Sequence, residues 1–120
     1  MGLTHVNVRV SNLTQDAPPF EAEFLVDTGA IDCMAPGDRL LKAGIRPESK
    51  SLYELANGEA VEYEVGFARI AFNGAATVAP IIFVPPGTQA ILGVVALESA
   101  GFVVDPTTQA IRRMPAKPLK

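Results

Sequence analysis

The residues best suited to chemistry stand together at Asp27-Thr28-Gly29-Ala30, directly after the apolar run Phe24-Leu25-Val26. A carboxylate at the end of a buried strand costs desolvation free energy unless it is hydrogen-bonded or paired. Thr28 brings a hydroxyl beside it, and Gly29 brings a backbone N–H with no side chain in the way. The same tripeptide also suits an ordinary Asp turn at a strand end, so both readings stand at this point. A second apolar stretch, Ala90-Ile91-Leu92-Gly93, follows some sixty residues later. Other reactive types are sparse. His5 is the only histidine and lies on the polar side of an alternating segment, so it is expected to face solvent. Cys33 is the only cysteine, which excludes an intrachain disulfide; with no base nearby it reads as an inert buried thiol. No Ser-His-Asp set can be built without forcing the sole histidine into it. One His and one Cys also argue against a zinc site, and no metal or cofactor is expected. Gly87, Gly93 and Gly101 are too dispersed for a phosphate-cradling loop.

The segments around these residues read as short strands punctuated by Gly and Pro. Residues 4–10 alternate, with Val6, Val8 and Val10 on one face. Residues 20–26 alternate again and run straight into Asp27. A short helix is expected from about Pro36 to Ala43, stopped by Gly44. Residues 50–56 and 59–66 read as the arms of a hairpin around Asn57-Gly58, a dipeptide that favours the type I′ turn. Val61, Tyr63, Val65 and Phe67 share one parity while Ile70 and Phe72 take the other, which predicts a bulge near Gly66–Ala68. Asn73-Gly74 marks a second tight turn, and 76–84 and 90–93 are further apolar strands. A turn or two of helix over Val95–Ala100 and a hairpin of Phe102–Val104 with Gln109–Met114 finish the chain. Pro115–Lys120 reads as a frayed tail. Met34 and Met114 read as core filler, and Tyr53 and Tyr63 flank the first hairpin.

The chain of 120 residues suits one domain, expected over residues 1–120. Hydrophobic residues at 48% and charged residues at 19% exclude a solvated disordered tail. A formal net charge of −3 with no basic run removes the footprint of a nucleic-acid binder. No stretch approaches the ~20 apolar residues of a membrane helix. The N-terminus lacks the layout of a signal peptide, so a cytoplasmic location is the expectation, and Asn12-Leu13-Thr14 reads as a chance glycosylation sequon. The fold class expected is all-β: a small closed β-barrel with one or two short helices.

In order and spacing, Asp27-Thr28-Gly29-Ala30, the hairpin at Asn57-Gly58 and Ile91-Leu92-Gly93 followed by Leu97, Gly101 and Asp105 resemble the retropepsin-like aspartic proteases. The nearest likeness is to their short stand-alone bacterial members, over roughly residues 4–114. The resemblance implies a barrel of the retropepsin-like acid protease type. It implies Asp27 as the catalytic aspartate, with Thr28, Gly29 and Ala30 supporting the active-site loop and Thr28 bracing the partner's loop. It implies Gly29, Ala30, Ile31, Asn57, Gly58 and Ile91 as substrate-binding residues, with Asn57 and Gly58 at the tip of a flap. Ile91, Leu92 and Gly93 would underlie the catalytic loop. Many viral members carry an Asp–Arg ion pair where this chain has Ile31 and Val94, so their subsite map and dimer salt links do not transfer.

Aspartic proteolysis needs two carboxylates on one water, and this chain has a single Asp-Thr-Gly. The expectation is a homodimeric aspartic endopeptidase with one Asp27 from each copy, acting on a peptide or protein substrate, with neither nucleic acid nor membrane as partner. Ala30, Ile31, Met34, Ile82, Val84 and Ile91 are the expected cleft-facing residues, so cleavage between apolar residues is expected. The dimer contact is expected at the Asp27–Ala30 loop with a terminal strand, residues 4–10 before the tail. The alternatives are a catalytically silent dimer of the same type that binds peptides or assembles, and a monomeric β-barrel binding module in which Asp27 is a turn residue.

Overall fold

The computed structural model describes residues 4–119. The first strand, β1 (His5–Ser11), pairs antiparallel with β2 (Phe20–Val26), placing Val6 opposite Phe24 and Val10 opposite Phe20. Alternation buries Val8, Val10 and Phe24 and leaves His5, Asn7 and Arg9 exposed. After the Asp27 loop come β3 (Cys33–Pro36) and α1 (Gly37–Lys42). Gly44, with φ +80°, stops this helix in the left-handed conformation that favours glycine. Then follow β4 (Ser49–Glu54), β5 (Ala60–Phe72), β6 (Ala75–Val84) and the two-residue β7 (Ile91–Leu92). The chain ends with α2 (Val94–Ser99) and a separate hairpin of β8 (Phe102–Val104) and β9 (Ile111–Arg113).

Six strands close on themselves in the order β1-β2-β7-β3-β6-β5, and β5 returns to β1 through Arg9–Ala71, Val10–Ile70 and Ser11–Arg69. The ring encloses the main core, in which Phe24, Leu40, Ile70, Ile81 and Leu92 are fully buried. Burying each such side chain stabilises the fold by about 1.5–3 kcal/mol. β4 pairs only with β5 and projects from the ring. No helix among the described residues is long and apolar enough to cross a membrane.

The expected bulge near Gly66–Ala68 is absent. β5 keeps one uninterrupted register with β6 from Val65–Ile82 to Phe72–Ala75. What changes is the covered face. Val65, Ile82 and Val84 form a second cluster with Met34, Tyr53 and Tyr63, while Ala68, Ile70, Phe72 and Ile81 face the main core. A straight strand that passes from one cluster to the other shifts its buried parity without an inserted residue. Two strands also differ from expectation. No strand is expected from the sequence at 33–36, where β3 forms, and the last strand shrinks to Ile111–Arg113. Asp105 holds the loop before β9 by accepting from the amides of Thr107 and Thr108, which lowers its carboxyl pKa. In the tail, the Lys117 ammonium donates to the Ser99 carbonyl at 2.6 Å and Leu119 is exposed, while Lys120 lies outside the described residues.

Candidate active site

Asp27 sits where β2 ends, and β7 fixes its backbone. The two strands run parallel with Leu25 beside Ile91. The Leu25 N–H donates to the Ala90 carbonyl at 3.0 Å and the Asp27 N–H to the Leu92 carbonyl at 3.1 Å. The chain then turns sharply. The Ala30 N–H donates back to the Asp27 carbonyl at 3.1 Å, and the Gly29 N–H donates to Asp27 Oδ1 at 2.9 Å. The half-buried carboxylate is therefore held by its own loop, as a charged group leaving a strand requires.

The stretch after Leu92 locks the other side of the loop. The carbonyls of Ala30 and Ile31 accept from the N–H groups of Val94 and Val95 at 2.8 and 3.2 Å, satisfying orphan donors at the start of α2. This approach is open only to glycine at position 93. A Cβ there would lie 2.6 Å from the Asp32 carbonyl carbon and oxygen. The Gly93 N–H donates to Cys33 Sγ at 3.4 Å. Cys33 is buried, and burial pushes its thiol up to about 11, against the opposing pull of the Gly93 amide. The sequence led one to expect a buried thiol, and burial disfavours its reactive thiolate.

A cleft of about 1010 Å³ opens between this loop and the β4–β5 hairpin. Asp27 and Gly29 line it, and all six residues expected to face a cleft do so: Ala30, Ile31, Met34, Ile82, Val84 and Ile91. Met34 is therefore a cleft-wall residue on the second cluster rather than filler of the main core, and Met114 is only half-buried. Thr28 is exposed beside the cleft and does not line it. Leu52 and Leu55 add apolar surface from the hairpin.

Asn57 and Gly58 occupy the hairpin tip but do not line the cleft. Their turn also differs from the expected type I′. Glu54 pairs with Ala60, which leaves an odd number of residues between the strands. The Gly58 N–H donates to the Leu55 carbonyl at 2.9 Å, the Leu55 N–H donates to the Glu59 carbonyl at 2.7 Å, and only Gly58, with φ +88°, has positive φ. This is a three-residue loop closed by a left-handed glycine. The Asn57 side chain folds back, accepting from the Glu59 N–H at 3.0 Å and donating to Glu59 Oε1 at 2.9 Å. The two-residue type I′ turn occurs instead at Asn73-Gly74, with φ of +48° and +79° between the paired Phe72 and Ala75.

Sequence reading set Tyr53 and Tyr63 beside the hairpin without deciding whether they shape it, and it missed the role of Asp32. The Tyr53 hydroxyl on β4 donates to Asp32 Oδ2 at 2.8 Å, tying the hairpin to the Asp27 loop. Burial first, then the bond and charge of Asp32, pushes the Tyr53 hydroxyl up to about 12. The Tyr53 and Tyr63 rings lie 6.3 Å apart over the second cluster and anchor the base of the hairpin. Parity was the available signal for the tyrosines, because Tyr53 pairs with Val61 on the face shared with Tyr63. Nothing in the pattern marks Asp32, whose placement depends on the loop's path.

Comparison with known families matches residues 6–96 to the model described as aspartyl protease, a span that takes in the Asp27 loop, the hairpin and the Ile91-Leu92-Gly93 stretch. No curated protein matches the chain.

Proposed function

Because this chain belongs to the retropepsin-like aspartyl protease family, we propose that it is an endopeptidase active as a homodimer in which Asp27 and the partner subunit's Asp27 share one water. The observation that carries this reading is the Asp27 carboxylate, held by its own loop at the edge of a large, mostly apolar cleft. In the reaction, the ionised carboxylate takes a proton from the water as its oxygen attacks the scissile carbonyl. The protonated carboxyl meanwhile donates to the carbonyl oxygen. Two carboxylates this close resist double ionisation and retain one proton between them, an effect of which aspartic proteases are themselves the standing example. The pair titrates as a unit.

An extended peptide would lie between the loop and the hairpin, with the hairpin as a flap. Its tip stands in open space, where a Cβ on Gly58 would meet nothing within 4 Å. Its base is held by Tyr53. The walls from Ile31, Met34, Ile82, Val84 and Ile91 favour apolar residues on both sides of the cleaved bond, since an unpaired charge there is costly to desolvate. The test is specific activity against protein concentration with sedimentation in parallel. Activity per protomer should fall as the dimer dissociates. A fully active monomer would refute the proposal.

A further inference from the structure

The outer face of the ring carries a second hollow that shares no residue with the cleft. Across β1 and β5, Arg9 stands opposite Ala71 and Ser11 opposite Arg69, and across β5 and β6 Ala71 stands opposite Ala76. Their strand neighbours Val10 and Ile70 are fully buried in the core, so alternation turns these five residues outward together. The segment between β1 and β2 folds over them and contributes Gln15. The small side chains of Ala71 and Ala76 leave a hollow of about 520 Å³, many times the roughly 30 Å³ share of a water.

The charged groups of this hollow, Arg69 and Arg9, are donors with weak or missing acceptors. Arg69 Nε is buried without a hydrogen-bond partner. Such a donor costs about 1–3 kcal/mol, more on a charged group. Arg69 Nη2 reaches only the Leu13 carbonyl, at a long 3.5 Å. Arg9 has one partner, Glu21 at 3.7 Å, with both side chains over 60% exposed (61% and 64%). An exposed pair of this kind contributes about 0–1 kcal/mol and yields readily to a competitor. No Asp or Glu lines the hollow. The nearby Asp16 carboxylate is taken by the Asn12 amide at 2.5 Å.

We propose that this hollow is a binding site for a small oxyanion, a phosphate or a carboxylate, held by Arg69 and Arg9 with Ser11 and Gln15 as further donors. Swinging the Arg69 guanidinium off Leu13 presents its Nε–Nη edge to two oxygens, the fork geometry in which arginine binds carboxylate and phosphate most strongly. The site is independent of the cleft chemistry, so loss of peptidase activity does not bear on it.

The test is a two-dimensional NMR titration of the full chain with inorganic phosphate and, separately, succinate, at constant ionic strength against a chloride control. The Arg69 Nε–H and the amides of Ser11 and Gln15 should shift saturably with at least one anion. The tighter of the two identifies the ligand as phosphoryl or carboxylate. Arg69→Gln should weaken binding by about tenfold or more, as expected for losing a charge-assisted hydrogen bond. Ala76→Glu, which fills the hollow with a like charge and leaves Arg69 in place, should abolish saturation even if Arg69→Gln folds poorly. Shifts no different from chloride, or saturable binding that survives Ala76→Glu, would overturn the assignment.

Discussion

Replacing Gly93 by alanine perturbs the joint between β7, α2 and the Asp27 loop with one methyl group. The added Cβ would lie 2.6 Å from the Asp32 carbonyl carbon and oxygen and 2.7 Å from the Ile31 carbonyl oxygen, all of them backbone atoms. Comfortable contact needs about 3.5 Å or more, so the loop and the start of α2 separate by about 1 Å. Overpacking of this kind costs about 1–3 kcal/mol. The bonds from Val94 to Ala30 and from Val95 to Ile31 run across the same joint, and each contributes about 0.5–1.5 kcal/mol. Gly93→Ala should therefore lose about 3 kcal/mol and about 10 °C in Tm. A shift of about 1 Å in a reacting group can cost ~10²-fold in rate, so kcat should fall by about that factor in protein that is still folded. The control is Gly29→Ala, whose Cβ would meet only Asp27 Oδ1 at 3.2 Å. It should keep nearly all the stability. Thermal unfolding and peptide-hydrolysis kinetics of both variants decide the matter. A Gly93→Ala protein with wild-type Tm and kcat would refute this account of how the loop is held.

Tyr53→Phe removes the bond to Asp32 and should cost roughly 1 kcal/mol or less at this half-exposed site, raise KM severalfold and speed hydrogen exchange over residues 49–54. The Tyr53 hydroxyl pKa is raised on folding, so its contribution is complete below the ordinary tyrosine value of 10.0 and disappears as pH rises through about 12. The stability difference between wild type and Tyr53→Phe should vanish over that range, and a difference that grows there would contradict the sign. Gly58→Val puts a β-branched residue at φ +88° in open space. It should strain the tip by about 1–2 kcal/mol, lower the Tm by roughly 3–7 °C and lower turnover; unchanged kinetics would deny the tip a role in binding. Cys33 should resist a thiol reagent at neutral pH in the native protein and react fully in denaturant, and rapid native labelling would place it outside the core.

The floor of the site was legible because it is built from contiguous motifs. An apolar run ending in Asp27-Thr28-Gly29 and a second run ending in Gly93 read as two strands, the family resemblance set the second beneath the loop of the first, and Leu25 does lie beside Ile91. The wall residues followed from the family resemblance and from their apolar character. The roof was less legible because its geometry depends on register. Asn57-Gly58 and Asn73-Gly74 are the same dipeptide, yet the first closes a three-residue loop and the second a two-residue turn, because the flanking pairings Glu54–Ala60 and Phe72–Ala75 leave different spans. The apparent bulge in β5 arose from treating burial parity as a property of one core when two clusters cover opposite faces of the strand. The four-residue β3 is too short for periodicity to register. The bond between Tyr53 and Asp32 joins residues 21 positions apart through tertiary packing alone, which no local pattern encodes.

The claim that Asp27 works as one half of a shared pair is tested most directly by mixing wild-type protein with Asp27→Asn under conditions that let subunits exchange. At equal amounts with random pairing, about one dimer in four holds two aspartates, and activity per wild-type protomer should drop to about half. Further Asp27→Asn should drive it toward zero, while Asp27→Asn alone falls by at least ~10²–10⁴-fold. Activity that stays proportional to the amount of wild-type protomer, whatever the excess of variant, would contradict a site shared between two copies.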